Sequence, residues 1–171
     1  MEKKVLTETA KYLGMGKVKI GTDDNKITVE MGGKKTAGFV CGLLSLVRKQ
    51  KAALEGSTPL EKSLTHNWLT YCATDFFHCP TYEAFYSCLK HIDRQLANRA
   101  FLCGSLLTIA DVVVFLALHP FVVSWSFQQK EQFVNISRWF DAMQSDMYLS
   151  KSYSSVKFSR TLLYEGTGRG H

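Results

Sequence analysis

Apolar positions recur at helical spacing through most of this 171-residue chain, and the exceptions lie in its first third. Val5, Leu6, Thr9, Tyr12 and Leu13 fall on one face of a helix that Gly14 stops. A period of two follows. Lys17-Val18-Lys19-Ile20 and Ile27 to Met31 alternate on either side of the turn-forming run Gly21 to Asn25, predicting a short hairpin that Gly32-Gly33 ends. Phe39, Val40, Leu43, Leu44 and Val47 then restore the helical period over about Thr36 to Leu54, despite Gly38 and Gly42. The first third reads helix, strand, strand, helix.

Glu55-Gly56-Ser57 is the predicted domain boundary, and every periodic segment after it is helical. Thr58-Pro59-Leu60-Glu61 is a capping box with proline at the first helical position, two independent reasons to start a helix there. That helix carries Leu60, Leu64, Trp68 and Tyr71 to about Phe77. Cys79-Pro80-Thr81 breaks it, and Tyr82, Phe85, Cys88-Leu89, Ile92 and Leu96 mark the next helix, to about Asn98. In Phe101 to Ala117, Thr108 and Asp111 form a second box, with Leu107 and Val112 at the positions of a hydrophobic staple. The run Val112 to Leu118 behind it has no polar face, so this helix is expected to thread the core. Ser126 to Gln129 is a third box, Asn135 is the expected cap of the helix holding Trp139 and Phe140, and a last amphipathic segment runs from Tyr148 to Leu163. This divides the chain into residues 1–55, a helical domain over 56–165, and a tail over 166–171.

Composition changes little in this picture. At 46% apolar and 21% charged the chain is ordinary globular material, and no apolar run approaches the roughly 20 residues that span a bilayer. The mixed-charge N-terminus has no secretory signal pattern, which leads us to expect a cytosolic protein. Cys41, Cys72, Cys79, Cys88 and Cys103 contain no CxxC pair and read as buried, reduced thiols of the core rather than metal ligands. Charge is uneven: residues 1 to 51 carry eleven Lys/Arg against five Asp/Glu, whereas the remainder carries ten of each. The lysines are scattered, and Arg48-Lys49-Gln50-Lys51 reads as a solvated helix C-terminus. His78 adjoins Cys79, yet His66, His78, His91, His119 and His171 are each isolated in sequence from a plausible catalytic Cys or Ser partner. His119 reads as a structural cap, and Asp111 is already engaged by its box. No catalytic, cofactor-binding or metal-binding residue is expected.

Thr58 to Glu61 with Asn67-Trp68-Leu69, Phe101 to Leu118, and Asn135 to Phe140 together resemble the C-terminal domain of the glutathione-transferase superfamily. LEGSTPLEKS, Leu118 to Val123 and Ser154 to Phe158 narrow the resemblance to the family of aminoacyl-tRNA-synthetase-complex-interacting multifunctional protein three, also called translation elongation factor one epsilon. The resemblance implies a mostly α fold, with a reduced thioredoxin-like N-terminal domain before the all-helical one. About 55 residues replace the roughly 75 to 80 that a complete thioredoxin-like domain needs at ordinary element lengths. Active transferases also carry a cis-proline where this chain has Thr28, and an acidic-Ser turn where it has Gly32-Gly33-Lys34-Lys35-Thr36. Glutathione catalysis is therefore expected to be lost.

The family resemblance further implies a noncatalytic scaffold of the multi-aminoacyl-tRNA synthetase complex, in the cytoplasm and also in the nucleus. One face, Thr36 to Lys51 with Thr58 to Phe77, would meet the transferase-like domain of methionyl-tRNA synthetase. The other, around Arg138 and the turn Phe77 to Pro80, would meet that of glutamyl-prolyl-tRNA synthetase. On the residues alone Arg138 and Asp141 are an exposed i, i+3 pair worth a few tenths of a kcal/mol. The resemblance makes them interface residues. A degenerate glutathione transferase and an RNA-binding accessory protein are the competing readings, although direct nucleic-acid and membrane binding are not expected.

Overall fold

A computed structural model describes residues 1–16, 18–23 and 26–158. Lys17, Asp24, Asn25, the end of the amphipathic segment with Leu162 and Leu163, and the tail with His171 lie outside the described residues.

Helix α1 (Glu2–Tyr12) buries Val5, Leu6, Thr9, Ala10 and Tyr12, the face that its sequence periodicity predicts. Gly14, at φ 74°, supplies the left-handed residue that ends it, its N–H donating to Lys11 O at 2.9 Å. Next come β1 (Lys19–Asp23), β2 (Lys26–Met31) and β3 (Lys34–Ala37), an antiparallel meander in the order β1-β2-β3. Thr28 pairs with both Gly21 and Ala37, and Val29 with Ile20 and Thr36. The hairpin is tighter than expected, since β1 reaches Asp23, and the third strand is a correction. Lys34-Lys35-Thr36-Ala37 has no buried position, so it lacks the alternation that marks a half-buried strand.

Helix α2 is Phe39–Gln50, beginning later than its periodicity suggested because Gly38 is the N-cap, at φ 91°. Gly42, which looked like a flaw in this helix, has a packing reason. A Cβ there would stand 2.6 Å from Val29 Cγ2, so glycine permits α2 to lie close on β2. After a 3₁₀ turn at Ala52–Glu55 the chain passes Gly56 and enters α3 (Pro59–Thr74). The Thr58 box is complete: Glu61 N donates to Thr58 Oγ1 at 3.1 Å, and Glu61 Oε2 accepts from Thr58 N at 3.0 Å and Ser57 N at 2.8 Å. A 3₁₀ turn at Phe76–His78 follows, then α4 (Tyr82–Leu96).

Helix α5 (Ile109–Val122) is the axis of the molecule. Every residue from Ile109 to His119 is buried, with α1, α3 and α7 packed around it. It continues past Pro120, which lies inside its last turn. Three shorter helices follow among the described residues: α6 (Phe127–Gln132), α7 (Val134–Met143) and α8 (Met147–Ser152). Ser126 caps α6 in the expected box, with Ser126 N donating to Gln129 Oε1 at 2.9 Å. Asp146 caps α8 through Tyr148 N and Leu149 N, and accepts Tyr12 Oη–H from α1 at 3.2 Å. Among the described residues no helix is long and apolar enough to cross a membrane.

Candidate partner-binding faces

Asp111 fixes the geometry from which the candidate surface is built. Its carboxylate is fully buried and meets four donors: Oδ1 accepts from Leu102 N at 2.8 Å and Trp139 Nε1 at 3.0 Å, and Oδ2 from Thr108 N at 3.0 Å and Thr108 Oγ1 at 2.9 Å. Thr108 and Asp111 thus form the capping box of α5, and the same side chain ties α7 and the 101–104 turn to it. Burial pushes the Asp111 carboxyl above its ordinary range, opposed by the hydrogen bonds from Leu102, Thr108 and Trp139. Its donor set is structural.

Trp139 faces inward and its neighbour Arg138 faces out. The Arg138 guanidinium reaches across to the end of α4, where Nη2 donates to Leu96 O at 2.6 Å and Arg99 O at 2.8 Å. A cation at a helix C-terminus satisfies orphan carbonyls and opposes the helix dipole. Arg99 in turn donates from Nη1 to Leu102 O at 3.2 Å, next to the peptide N–H held by Asp111. Surface arginine and buried carboxylate are two ends of one network. This role of Arg138 leaves no mark in the local sequence, because its acceptors are carbonyls 39 and 42 residues away.

Arg138 and Asp141 do not pair with each other among the described ion pairs. Asp141 Oδ1 accepts weakly from Gln144 Nε2 at 3.4 Å. Both instead line a shallow depression of about 130 Å³ that Lys130, Glu131, Val134 and Phe158 help to enclose. Val134 is 51% exposed at its rim, giving the depression an apolar contact between opposite charges.

The start of α7 corrects a second expectation. Asn135 is the second residue of the helix rather than its cap. Asp93 of α4 takes the capping part: Oδ1 accepts from Asn135 N at 3.0 Å and Ile136 N at 2.9 Å, and Oδ2 accepts from Asn135 Nδ2 at 2.9 Å. Asp93 and Arg138 therefore clamp the last turn of α4 to the first half of α7. His119 is likewise no cap; its Nε2 donates to Ser154 O at 3.0 Å, tying α5 to the final described segment.

A second face joins α2 to α3. Lys34, Arg48, Lys49 and His66 line a groove of about 780 Å³ whose floor includes Val29, Met31 and Leu44. Arg48 is engaged within it by a fork onto Glu55, with Nε at 2.9 and 3.0 Å and Nη2 at 2.5 Å. The same fork holds the Glu55 carboxyl below its ordinary range. Gly38 starts α2 without a side-chain cap. Among the described residues no group of three or more His, Cys, Asp or Glu side chains is placed to hold a metal ion.

Helices stacked on α5 beside a small sheet define a glutathione-transferase-like fold. Glutathione transferase E6 from Drosophila melanogaster superposes with a TM-score of 0.69 at 16% identity, over 88% of this chain and 85% of that one. Residues 61–147 match the Arc1p_N_like family, described as nuclear-export cofactor Arc1p. Eukaryotic translation elongation factor 1 epsilon-1 from Cricetulus griseus is 33% identical over 133 residues, 77% of this chain and 76% of the relative. The chain belongs to that elongation factor 1 epsilon family. The tRNA-aminoacylation cofactor arc1 of Schizosaccharomyces pombe is 25% identical over 120 residues, 70% of this chain and 25% of the cofactor. The bifunctional glutamate/proline–tRNA ligase of Cricetulus griseus is 29% identical over 96 residues, 55% of this chain and 6% of the ligase.

Proposed function

We propose that this protein is a noncatalytic scaffold subunit associated with aminoacyl-tRNA synthetases, which it binds through their transferase-like domains in support of translation. The observation that carries the reading is its membership of a family named for translation, together with its similarity to an aminoacylation cofactor and to a stretch of a synthetase itself. A chain that shares a domain type with its partner is suited to pairing like with like, because two related surfaces bring matching shapes to one interface. The α2–α3 face is assigned to methionyl-tRNA synthetase. The α7 face, with Arg138, Asp141 and the turn Phe77 to Pro80, is assigned to glutamyl-prolyl-tRNA synthetase. Arg138 suits an anchor there: Nη2 is held on α4, so its planar group is oriented before a partner arrives. The site of action is the cytoplasm, with a nuclear location as well.

The test is capture of the two synthetases by wild type and Arg138→Ala. The variant is expected to lose the glutamyl-prolyl enzyme while retaining the methionyl enzyme. Equal retention of both sinks the assignment of Arg138.

A further inference from the structure

The connection between α3 and α4 holds two thiols against each other. Cys79 lies on the turn that follows Phe76–His78, and Cys88 lies in the second turn of α4; their sulfurs are 3.5 Å apart. Cys79 Sγ also stands 3.3 Å from Asp75 O, which it can reach as a donor. Both thiols are half-buried, whereas Cys41 is exposed and Cys72 and Cys103 are buried. A disulfide places its sulfurs about 2.05 Å apart, so closure asks for a movement of about 1.5 Å. Cys79 is outside any helix, and Pro80 after it has no N–H to lose, so the turn can supply that movement without opening a helical hydrogen bond.

We propose that Cys79 and Cys88 form a thiol–disulfide modification site that takes a low-molecular-weight disulfide as its oxidant. The Cys79 thiolate attacks one sulfur of the small disulfide, whose S–S bond breaks and releases one thiolate. Cys88 then attacks Cys79 Sγ, breaking the mixed disulfide and releasing the second thiolate. Two protein thiols are oxidised, one small disulfide is reduced to two thiols, and the two protein protons end on the released thiolates. The second step is favoured because the resolving sulfur already stands in contact with its target. The bond would pin the Phe77 to Pro80 turn onto α4 and leave α7 untouched. The inference stands on the sulfur geometry and does not depend on which partner the chain binds.

The surroundings set the rate. Tyr71 and Cys72 of α3, and Asp75 at its C-terminal cap, face the pair. Burial, then the adjacent Cys88 sulfur, push the Cys79 thiol up to about 11. Thiolate is scarce at neutral pH, so exchange should quicken steadily as pH rises toward that value.

The experiment uses the full chain carrying Cys41→Ser, to suppress bonds between molecules, incubated folded with oxidised glutathione. Remaining thiols are blocked, and intact mass is followed by non-reducing peptide mapping. The expected product has lost two hydrogens, retains no glutathione and yields a Cys79–Cys88 linked peptide. Adding Cys88→Ser, or Cys88→Ala if serine unfolds the chain, is expected to trap one glutathione on Cys79. Stable glutathione on Cys79 while Cys88 is present, a bond from either thiol to Cys72, or full alkylation of both thiols would overturn the proposal.

Discussion

The indole N–H of Trp139 and the Asp111 carboxylate meet at 3.0 Å inside the core, joining α7 to the first turn of α5. Asp111→Ala would leave that indole, Leu102 N and Thr108 N buried without partners. The expected loss is about 3–5 kcal/mol, the range for breaking a buried charged network. Trp139→Phe removes a single donor and should cost less, about 1–3 kcal/mol. Urea midpoints of the two variants check this ordering. An Asp111→Ala variant as stable as wild type would show that the network carries no stability.

The α4–α7 clamp gives a separate prediction. Asp93→Ala strips the start of α7 of its acceptor for Asn135 N and Ile136 N, which should cost about 1–2 kcal/mol. Asn135→Ala removes only the Nδ2 contact and should cost less than Asp93→Ala. Thermal unfolding distinguishes the two; equal losses would mean that Asn135, not Asp93, holds the helix start.

Gly42 tests the contact between α2 and the sheet. Glycine to alanine inside a helix usually gains about 1 kcal/mol. Here the new methyl would press on Val29 at 2.6 Å, and the overpacking cost of about 1–3 kcal/mol should outweigh that gain. A destabilised Gly42→Ala variant is expected in denaturant melts. A stabilised one would show that α2 can move off β2 freely.

The capping boxes at Thr58, Thr108 and Ser126 were legible because each is closed within four consecutive residues. Core membership of Trp139, Phe140 and the α5 run was legible for the same local reason, an apolar face or an unbroken apolar segment. What could not be read depends on distant partners. Asp93 caps a helix that starts 41 residues later, so local pattern pointed to Asn135 instead. Arg138 meets carbonyls at the far end of α4, so its sequence neighbour Asp141 looked like its partner. Strand β3 escaped because an exposed edge strand has no buried alternation to show.

Acid should weaken the fold through depressed carboxyls. Glu8 is lowered mainly by its bond to Lys11, Glu55 by Arg48, and Glu61 by the N–H groups of Thr58 and Ser57. Each folded value lies below the ordinary 4.5, so the unfolded chain takes up protons first as pH falls. Their contribution is complete above that value and is lost as pH drops through the lower folded values. Asp111 has the opposite sign, since its folded carboxyl is raised and its protonation favours the native state in acid. Denaturation midpoints between pH 6 and 3 should therefore fall in wild type and fall less in Glu55→Gln. Identical profiles would remove the Arg48–Glu55 fork from the explanation.

Heterodimer formation is the most direct test of the scaffold reading. The purified chain would be mixed with the transferase-like domain of each synthetase, methionyl and glutamyl-prolyl, and resolved by size-exclusion chromatography with light scattering. The expected result is a discrete complex with each domain separately, and a ternary complex when all three are present. Elution of this chain alone in both mixtures would contradict the reading.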